Sequence, residues 1–232
     1  MVKKMSDIAE KQDFPLYNTL SNLDIAVLTL SILLVFAVVS MQSFIPSSLK
    51  SVLIFLIPFC AFLYVCRGKL DLIVKRLHKS DLAFIVAYVV LYYIIAIGAG
   101  IILYNLGFTL KPNAILSVEK DWVFWILFLF QIFGEELFKL SMFITALSLL
   151  YRHASNINNW IISIAALFTS FLFAIVHMFA YGGILQPLMI LGLGNLVLIY
   201  AYVRSKNVVV PYVSHLIVDL IPLMATMFLF IC

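Results

Sequence analysis

Seven runs of apolar residues, separated by short polar segments, account for most of the chain. They cover residues 23–44, 51–66, 82–104, 121–151, 160–180, 184–203 and 208–231. A helix needs about 20 apolar residues to cross a bilayer. The pattern therefore predicts an all-α fold, a polytopic transmembrane helix bundle of about seven spans (six to eight). The fourth run is too long for a perpendicular span, so we expect its helix to tilt, to break near Gly134 or to extend past the lipid.

Composition indicates an integral, multi-pass membrane protein. Of the 232 residues, 65% are hydrophobic and 11% are charged, which leaves too few polar side chains to cover a soluble domain of this size. We predict a polar N-terminal segment at 1–22 and one transmembrane domain at 23–232. No convincing cleavage site follows the first apolar run, so we expect a retained span. The net charge of +4 is explained by its placement in loops. The expected surrounding partner is the lipid bilayer, and no nucleic-acid partner is indicated.

Basic residues mark one side of the membrane. They cluster before the first span and after the second, fourth and sixth spans, and they are Lys3, Lys4, Lys11, Arg67, Lys69, Lys75, Arg76, Lys79, Arg152, Arg204 and Lys206. With alternating spans, these four segments lie on the same side. Because cytoplasmic loops are enriched in Lys and Arg, we predict that this side, including the N-terminus, is cytoplasmic.

Few ionisable side chains lie within the spans. The main ones are Glu135, Glu136, Lys139, His177, His215 and Asp219. A charge at the bilayer centre costs about 2.5–3.5 kcal/mol on insertion scales, so such groups usually face the protein interior and one another. We therefore expect them to meet in one polar cavity. In a seven-span topology His177 lies near the outer end of its span and His215 nearer the inner side, so a shared site requires a displaced or strongly tilted helix.

Helical spacing pairs several of these residues. Glu135 and Lys139 are separated by one helical turn, in the orientation that favours an ion pair. His215 and Asp219 have the same spacing. Carboxylates and imidazoles suit general acid–base hydrolysis. They also suit a zinc ion held by histidine and carboxylate, with Glu135, His177 and His215 as ligands.

Each feature also has a simpler explanation when it is taken alone. A carboxylate pair in a span can bond a lysine and fix helix packing. A histidine in a span often makes a hydrogen bond between helices. The combination of all of these residues in one chain favours a catalytic site.

Three motifs contain these residues and follow one another in order. They read EELFKL from Glu135, FAIVH from Phe173 to His177 and HLIVD from His215 to Asp219. In this order they resemble the motifs EExxxR, FxxxH and HxxxN or HxxxD of the CPBP family (CAAX protease and bacteriocin-processing, also called Abi). That family includes the Rce1-type prenyl-protein proteases.

The resemblance implies a hydrolase, an intramembrane endopeptidase (protease) that cuts a membrane-embedded or lipid-associated peptide or protein. It implies an active site in a cavity open to the membrane and the cytosol. Glu135 is expected to act as the general base on water with help from His177, while His215 and Asp219 stabilise the oxyanion. The supporting residues are Glu136, Lys139 and Phe173. No metal cofactor is expected, and zinc is the alternative.

Two positions in the motif-bearing core, about residues 121–231, depart from the family pattern. Leu140 replaces the arginine of EExxxR, and the nearest cation, Lys139, lies one residue earlier, about 100° away around the helix. Lys139 can pair with Glu135 instead. Asp219 stands where some members have asparagine, and an ionised aspartate accepts hydrogen bonds without donating them.

Three functions are compatible with these observations. The first is a CPBP-type protease of a bacterial cytoplasmic membrane, involved in bacteriocin maturation or self-immunity. The alternative is a non-proteolytic bacteriocin-immunity or membrane binding protein with a degenerate active site, which Leu140 favours. A proton- or ion-coupled carrier is the third, but the sequence contains no repeated half with matching broken helices.

Overall fold

A computed structural model describes residues 16–41, 44–113, 116, 119–154 and 158–229. Within these residues the regular secondary structure is helical throughout, so the prediction of an all-α fold is confirmed. Most of the predicted N-terminal segment, including its three lysines, lies outside the described residues. The division into that segment and one transmembrane domain stays a prediction.

Seven α-helices run through the described part of the chain. They are α1 (Asn22–Ser40), α2 (Ser47–Val65), α3 (Lys79–Asn105), α4 (Trp122–His153), α5 (Asn159–Tyr181), α6 (Leu193–Ser205) and α7 (Val209–Leu229). A π-helix, Pro187–Gly192, continues directly into α6. Six helical segments, with the π-helix counted as part of α6, are long and apolar enough to cross a membrane. The remaining helix, α4, has 32 residues and carries three charges near its middle. The protein is thus a multi-pass transmembrane helix bundle.

Short polar side chains and one glycine define the helix ends nearest the motifs. Asp121 precedes α4 and its carboxylate accepts a hydrogen bond from the backbone N–H of Phe124 at 2.7 Å. Asn158 caps α5 in the same way. Such caps satisfy backbone donors that a helix start leaves unpaired. Gly182 ends α5 with a φ of +67°, a left-handed conformation that glycine adopts without a steric penalty.

The central helix of the bundle is α4. Its residues are buried almost continuously from Glu136 to Ser148, and it contacts α1, α2, α5 and α7. The helix continues without a break through Gly134, so a break at that residue does not occur. A Cβ atom at Gly134 would lie 2.5 Å from the carbonyl oxygen of Ile54 and 2.5 Å from Cα of Phe55. The glycine therefore lets α2 pack against α4 one residue before Glu135.

The basic segments that the structure describes lie at one end of the bundle. Arg67, after α2, pairs with Asp24 at the start of α1 at 2.8 Å. Arg152, near the end of α4, donates to the side chain of Asn22 at 2.5 Å. Asn207, between α6 and α7, bonds the backbone of Lys75. These contacts join the three loops that the charge pattern assigned to one side.

The helices are offset along the bundle, and this offset brings the motif residues together. Glu135 and His177 both lie 18 residues from the basic end of their helices, about 27 Å along each helix axis. The ring of Tyr202 near the end of α6 lies 6.1 Å from that of Phe143 in the middle of α4. Helix α7 therefore starts beside the middle of α4, and His215 reaches the level of Glu136.

Candidate active site

One cavity of about 440 Å³ contains the candidate catalytic side chains. Glu135 from α4, His177 from α5, and His215 and Asp219 from α7 all line it. Phe173 lines it as well. The structure thus brings together residues from three helices, including both histidines that the simple topology had placed at different depths. The volume lies in the range of small-ligand sites.

The mouth of this cavity lies at the end of the bundle opposite the basic segments. Its exposed lining residues are at the start of α2, between α3 and α4, and near the end of α5, namely Ser47, Ser48, Asn113, Glu119, Asp121 and Ala180. The basic segments instead follow the ends of α2 and α4. A cytoplasmic N-terminus and a cavity open to the cytosol are therefore incompatible in this structure. If the basic end is cytoplasmic, as the charge pattern predicts, the mouth faces the other side of the membrane.

A chain of hydrogen bonds holds Glu135. The amide nitrogen of Gln131 donates to Oε1 of Glu135 at 3.0 Å, and the hydroxyl of Ser51 on α2 donates to Oε1 of Gln131 at 2.7 Å. Glu135 itself is half-buried, and it faces the cavity. One carboxylate oxygen is thus fixed by protein while the carboxylate remains accessible to water in the cavity.

Glu136, Lys139 and His215 form a buried charged cluster behind the cavity. Lys139 forms its ion pair with Glu136, three residues earlier on α4, and not with Glu135 as the spacing predicted. The reason is that Glu136 also accepts a hydrogen bond from Nδ1–H of His215 at 2.6 Å. Its carboxylate therefore binds polar groups of both α4 and α7. The ammonium group also lies 4.8 Å from the ring centroid of Phe173. Because Lys139 is engaged here, Glu135 has no lysine partner within α4.

His215 is oriented by Glu136, and it presents its other nitrogen to Asp219. A carboxylate only accepts hydrogen bonds, so the contact with Glu136 requires a proton on Nδ1 of His215. The Nε2 atom lies 3.7 Å from Oδ2 of Asp219, an ion-pair distance beyond hydrogen-bond range. Nε2 thus remains available to a third group in the cavity.

His177 is also fixed through Nδ1. Its Nδ1 lies 2.8 Å from the backbone carbonyl of Phe173, one turn earlier, and a carbonyl requires a donor. In the neutral ring Nε2 is then the acceptor. The ring centroids of Phe173 and His177 are 4.4 Å apart, so the phenyl ring packs on the imidazole and limits its rotation.

No group of three or more His, Cys, Asp or Glu side chains within the described part of the chain is arranged to hold a metal ion. Glu135, His177 and His215 line the same cavity, but they are not grouped at ligand spacing. Zinc therefore stays a hypothesis for solution experiments.

The cavity contains polar residues that the sequence pattern did not single out. Gln131 and Ser51 support Glu135, and Asn195 on α6 lines the wall. All three are uncharged, so a search for ionisable groups within spans does not find them. The available signal was the position of Gln131, one turn before Glu135 in an apolar run.

Comparison with known proteins bears on the region that carries these motifs. Residues 118–221 match the sequence model of the family described as Rce1-like, type II CAAX prenyl endopeptidase Rce1-like. The match begins just before α4 and contains all three motifs. Neither the curated proteins nor the solved structures compared with this chain gave a match. The resemblance inferred from the motifs is confirmed by this match, which covers residues 118–221 of the multi-pass membrane protein.

Proposed function

We propose that this protein is an intramembrane endopeptidase, in which Glu135 activates water to hydrolyse a peptide bond. The observation that carries the proposal is the convergence of Glu135, His177, His215 and Asp219 on one cavity. The region that contains them matches an endopeptidase family. Separate packing roles for these four residues do not require a shared, solvent-accessible space.

Glu135 acts first, as the general base. It takes a proton from water as the water oxygen attacks the carbonyl carbon of the substrate. Gln131 fixes one carboxylate oxygen, and Nε2 of His177 accepts a second hydrogen bond from the same water. General acid–base catalysis of this kind contributes about 10²–10⁴-fold to a rate.

His215 stabilises the tetrahedral intermediate. When its ring is doubly protonated, Nδ1–H donates to Glu136 and Nε2–H points to the oxyanion, with Asp219 beside it. As the intermediate collapses, the C–N bond breaks and the departing amine receives the proton held by Glu135. The products are a carboxylic acid and an amine, which ionise to a carboxylate and an ammonium group.

The absence of the motif arginine does not favour a degenerate site as strongly as the sequence suggested. An arginine at the position of Leu140 would lie four residues after Glu136, and Lys139 lies three residues after it. Both spacings place a cation beside the same carboxylate on a helix. Lys139 makes this contact, so the second glutamate of the motif keeps a cationic partner.

The cavity lining suits a substrate with an apolar part. Apolar residues of α4, the π-helix and α6, including Leu127, Leu191 and Leu198, line the wall beside the polar groups. We propose a membrane-embedded or lipid-associated peptide or protein, of which a prenylated peptide is one example suggested by the family description. A role in bacteriocin maturation or self-immunity, in a bacterial cytoplasmic membrane, rests on the resemblance alone.

A survey of new protein termini tests the proposal. Membranes from cells that produce wild type, Glu135→Gln or Asp71→Asn at matched levels are compared by mass spectrometry. Asp71 is an exposed carboxylate in the turn between α2 and α3, so its conversion to the amide is a matched control. We expect cleavages that are present with wild type and Asp71→Asn and absent with Glu135→Gln.

Identical termini in all three membranes would contradict the proposal and support a binding protein. Chelation provides a separate arm. Loss of cleavage on removal of divalent metal, restored by zinc, would support the alternative in which Glu135, His177 and His215 hold that ion. Cleavage that survives chelation is the expected result.

A further inference from the structure

One polar side chain on the cavity wall has no role in the mechanism above. Asn195 on α6 is 1% exposed and lines the cavity. Its Nδ2 lies 3.4 Å from Oγ of Ser170 on α5, and its Oδ1 has no hydrogen-bond partner among the described residues. A buried amide with one end unpaired is destabilising unless another group completes it.

The backbone around Asn195 holds this amide against the site. Leu191, Asn195 and Leu198 line the cavity at successive turns, so this face of the helix forms one wall. The π-helix at Pro187–Gly192 ends three residues before Asn195; such widened turns occur frequently at functional sites. Gly194 permits a close approach to α3, because a Cβ atom there would lie 2.5 Å from the ring of Tyr92.

The amide can present its donor to the cavity. A serine hydroxyl both donates and accepts, so Ser170 can bond either end of the Asn195 side chain. When Ser170 donates to Oδ1, the NH₂ group is the end left for the cavity. The two ends of an amide are distinguished only by their hydrogen-bond network, and in this network the orientation with NH₂ toward a ligand is as well bonded as the other.

In the mechanism above, Nε2–H of His215 is the one donor assigned to the oxyanion. Oxyanion sites combine preorganised hydrogen-bond donors, and His215 supplies one through Nε2. Asp219, in its ionised form, supplies none. We propose that Asn195 donates the second hydrogen bond to the oxyanion of the tetrahedral intermediate, in place of the amide that some family members carry at the position of Asp219. This inference rests on the proposed endopeptidase activity.

The test uses the full-length protein in lipid vesicles. Its probe is the membrane peptide whose cleavage depends on Glu135 in the terminus survey. We expect Asn195→Ala to lower kcat by about 10²–10³-fold, with KM changed by less than about threefold because the bond forms only in the transition state. Asn105→Ala, an exposed asparagine at the end of α3, is the matched control and keeps wild-type kcat.

A second substitution separates a donor from a merely structural residue. In the Asp219→Asn background an amide is restored at the family position, so Asn195→Ala should lower kcat by less than about tenfold there. Equal losses in both backgrounds would show that Asn195 acts through packing and would overturn the inference. Wild-type kcat for Asn195→Ala, with Glu135→Gln inactive, would overturn it while leaving the proposed function intact. Absence of any Glu135-dependent cleavage would overturn both.

Discussion

Replacing Lys139 by methionine should destabilise the protein by about 3–5 kcal/mol, because the buried carboxylate of Glu136 loses its cation. The two side chains are 3% and 4% exposed and form an ion pair within one helical turn. Two unit charges about 4 Å apart attract each other by about 4 kcal/mol at an effective dielectric constant of about 20. Methionine keeps most of the apolar stem of lysine, so the loss reports mainly on charge.

Unfolding in mixed micelles of a mild detergent and dodecyl sulfate, followed by tryptophan fluorescence, measures the change. The matched control is Lys79→Met, the same substitution at an exposed position at the start of α3. We expect the control to change the free energy of unfolding by less than about 0.5 kcal/mol. The double variant Glu136→Gln with Lys139→Met should be less destabilised than the sum of the single variants, by about 0.5–3 kcal/mol.

Two results would refute this reasoning. One is equal stability of Lys139→Met and Lys79→Met, and the other is strict additivity in the double variant.

A further variant tests whether Lys139 takes the place of the motif arginine. Adding Leu140→Arg to Lys139→Met should recover part of the lost stability, since residue 140 lies one turn beyond Glu136. Failure to recover any would show that the lysine and arginine positions are not equivalent.

Three further predictions concern packing, support of the base and orientation. Gly134→Ala should lower the free energy of unfolding by about 1–3 kcal/mol, because the added methyl group overlaps with α2. Gly98→Ala, with open space around the added methyl group, should be neutral or stabilising in the same unfolding assay. Equal effects of the two substitutions would contradict the close contact between α2 and α4. Gln131→Leu should lower kcat by less than Glu135→Gln does, because it removes the hydrogen bond to Glu135 but keeps the carboxylate. An unchanged kcat for the Glu135-dependent peptide would show that this hydrogen bond does not support catalysis. In a cysteine-free background, a membrane-impermeant maleimide should label Ser48→Cys from outside intact cells and Lys75→Cys only after the membrane is opened; the reverse pattern would show that the mouth of the cavity faces the cytosol.

The helices could be predicted from the sequence because every apolar run except 51–66 is long enough to cross a bilayer. The same sequence placed the described basic segments at one end, where the contacts of Arg67, Arg152 and Asn207 join them. Residues that meet in the cavity could be anticipated from the cost of isolated charge in lipid. These inferences depend on composition and length, which tertiary packing does not override.

The finer geometry depends on contacts between helices and was not predictable. Lys139 shares a helix face with both glutamates. Its choice of Glu136 as ion-pair partner depends on His215 of α7, which bonds the same carboxylate. The offset of α7 along α4 has no signature in the hydropathy pattern. Asn195 also escaped notice, because an asparagine in a span becomes informative only when its neighbours and the cavity are known.

The most direct test of the central claim is the cleavage rate of purified protein in lipid vesicles, with the peptide identified by the terminus survey. Wild type, Asp71→Asn and Glu135→Gln are compared at equal amounts of folded protein. The proposed mechanism predicts equal rates for wild type and Asp71→Asn and a loss of at least about 10²-fold for Glu135→Gln. Cleavage by Glu135→Gln at the wild-type rate would contradict a glutamate-activated hydrolytic site in this cavity.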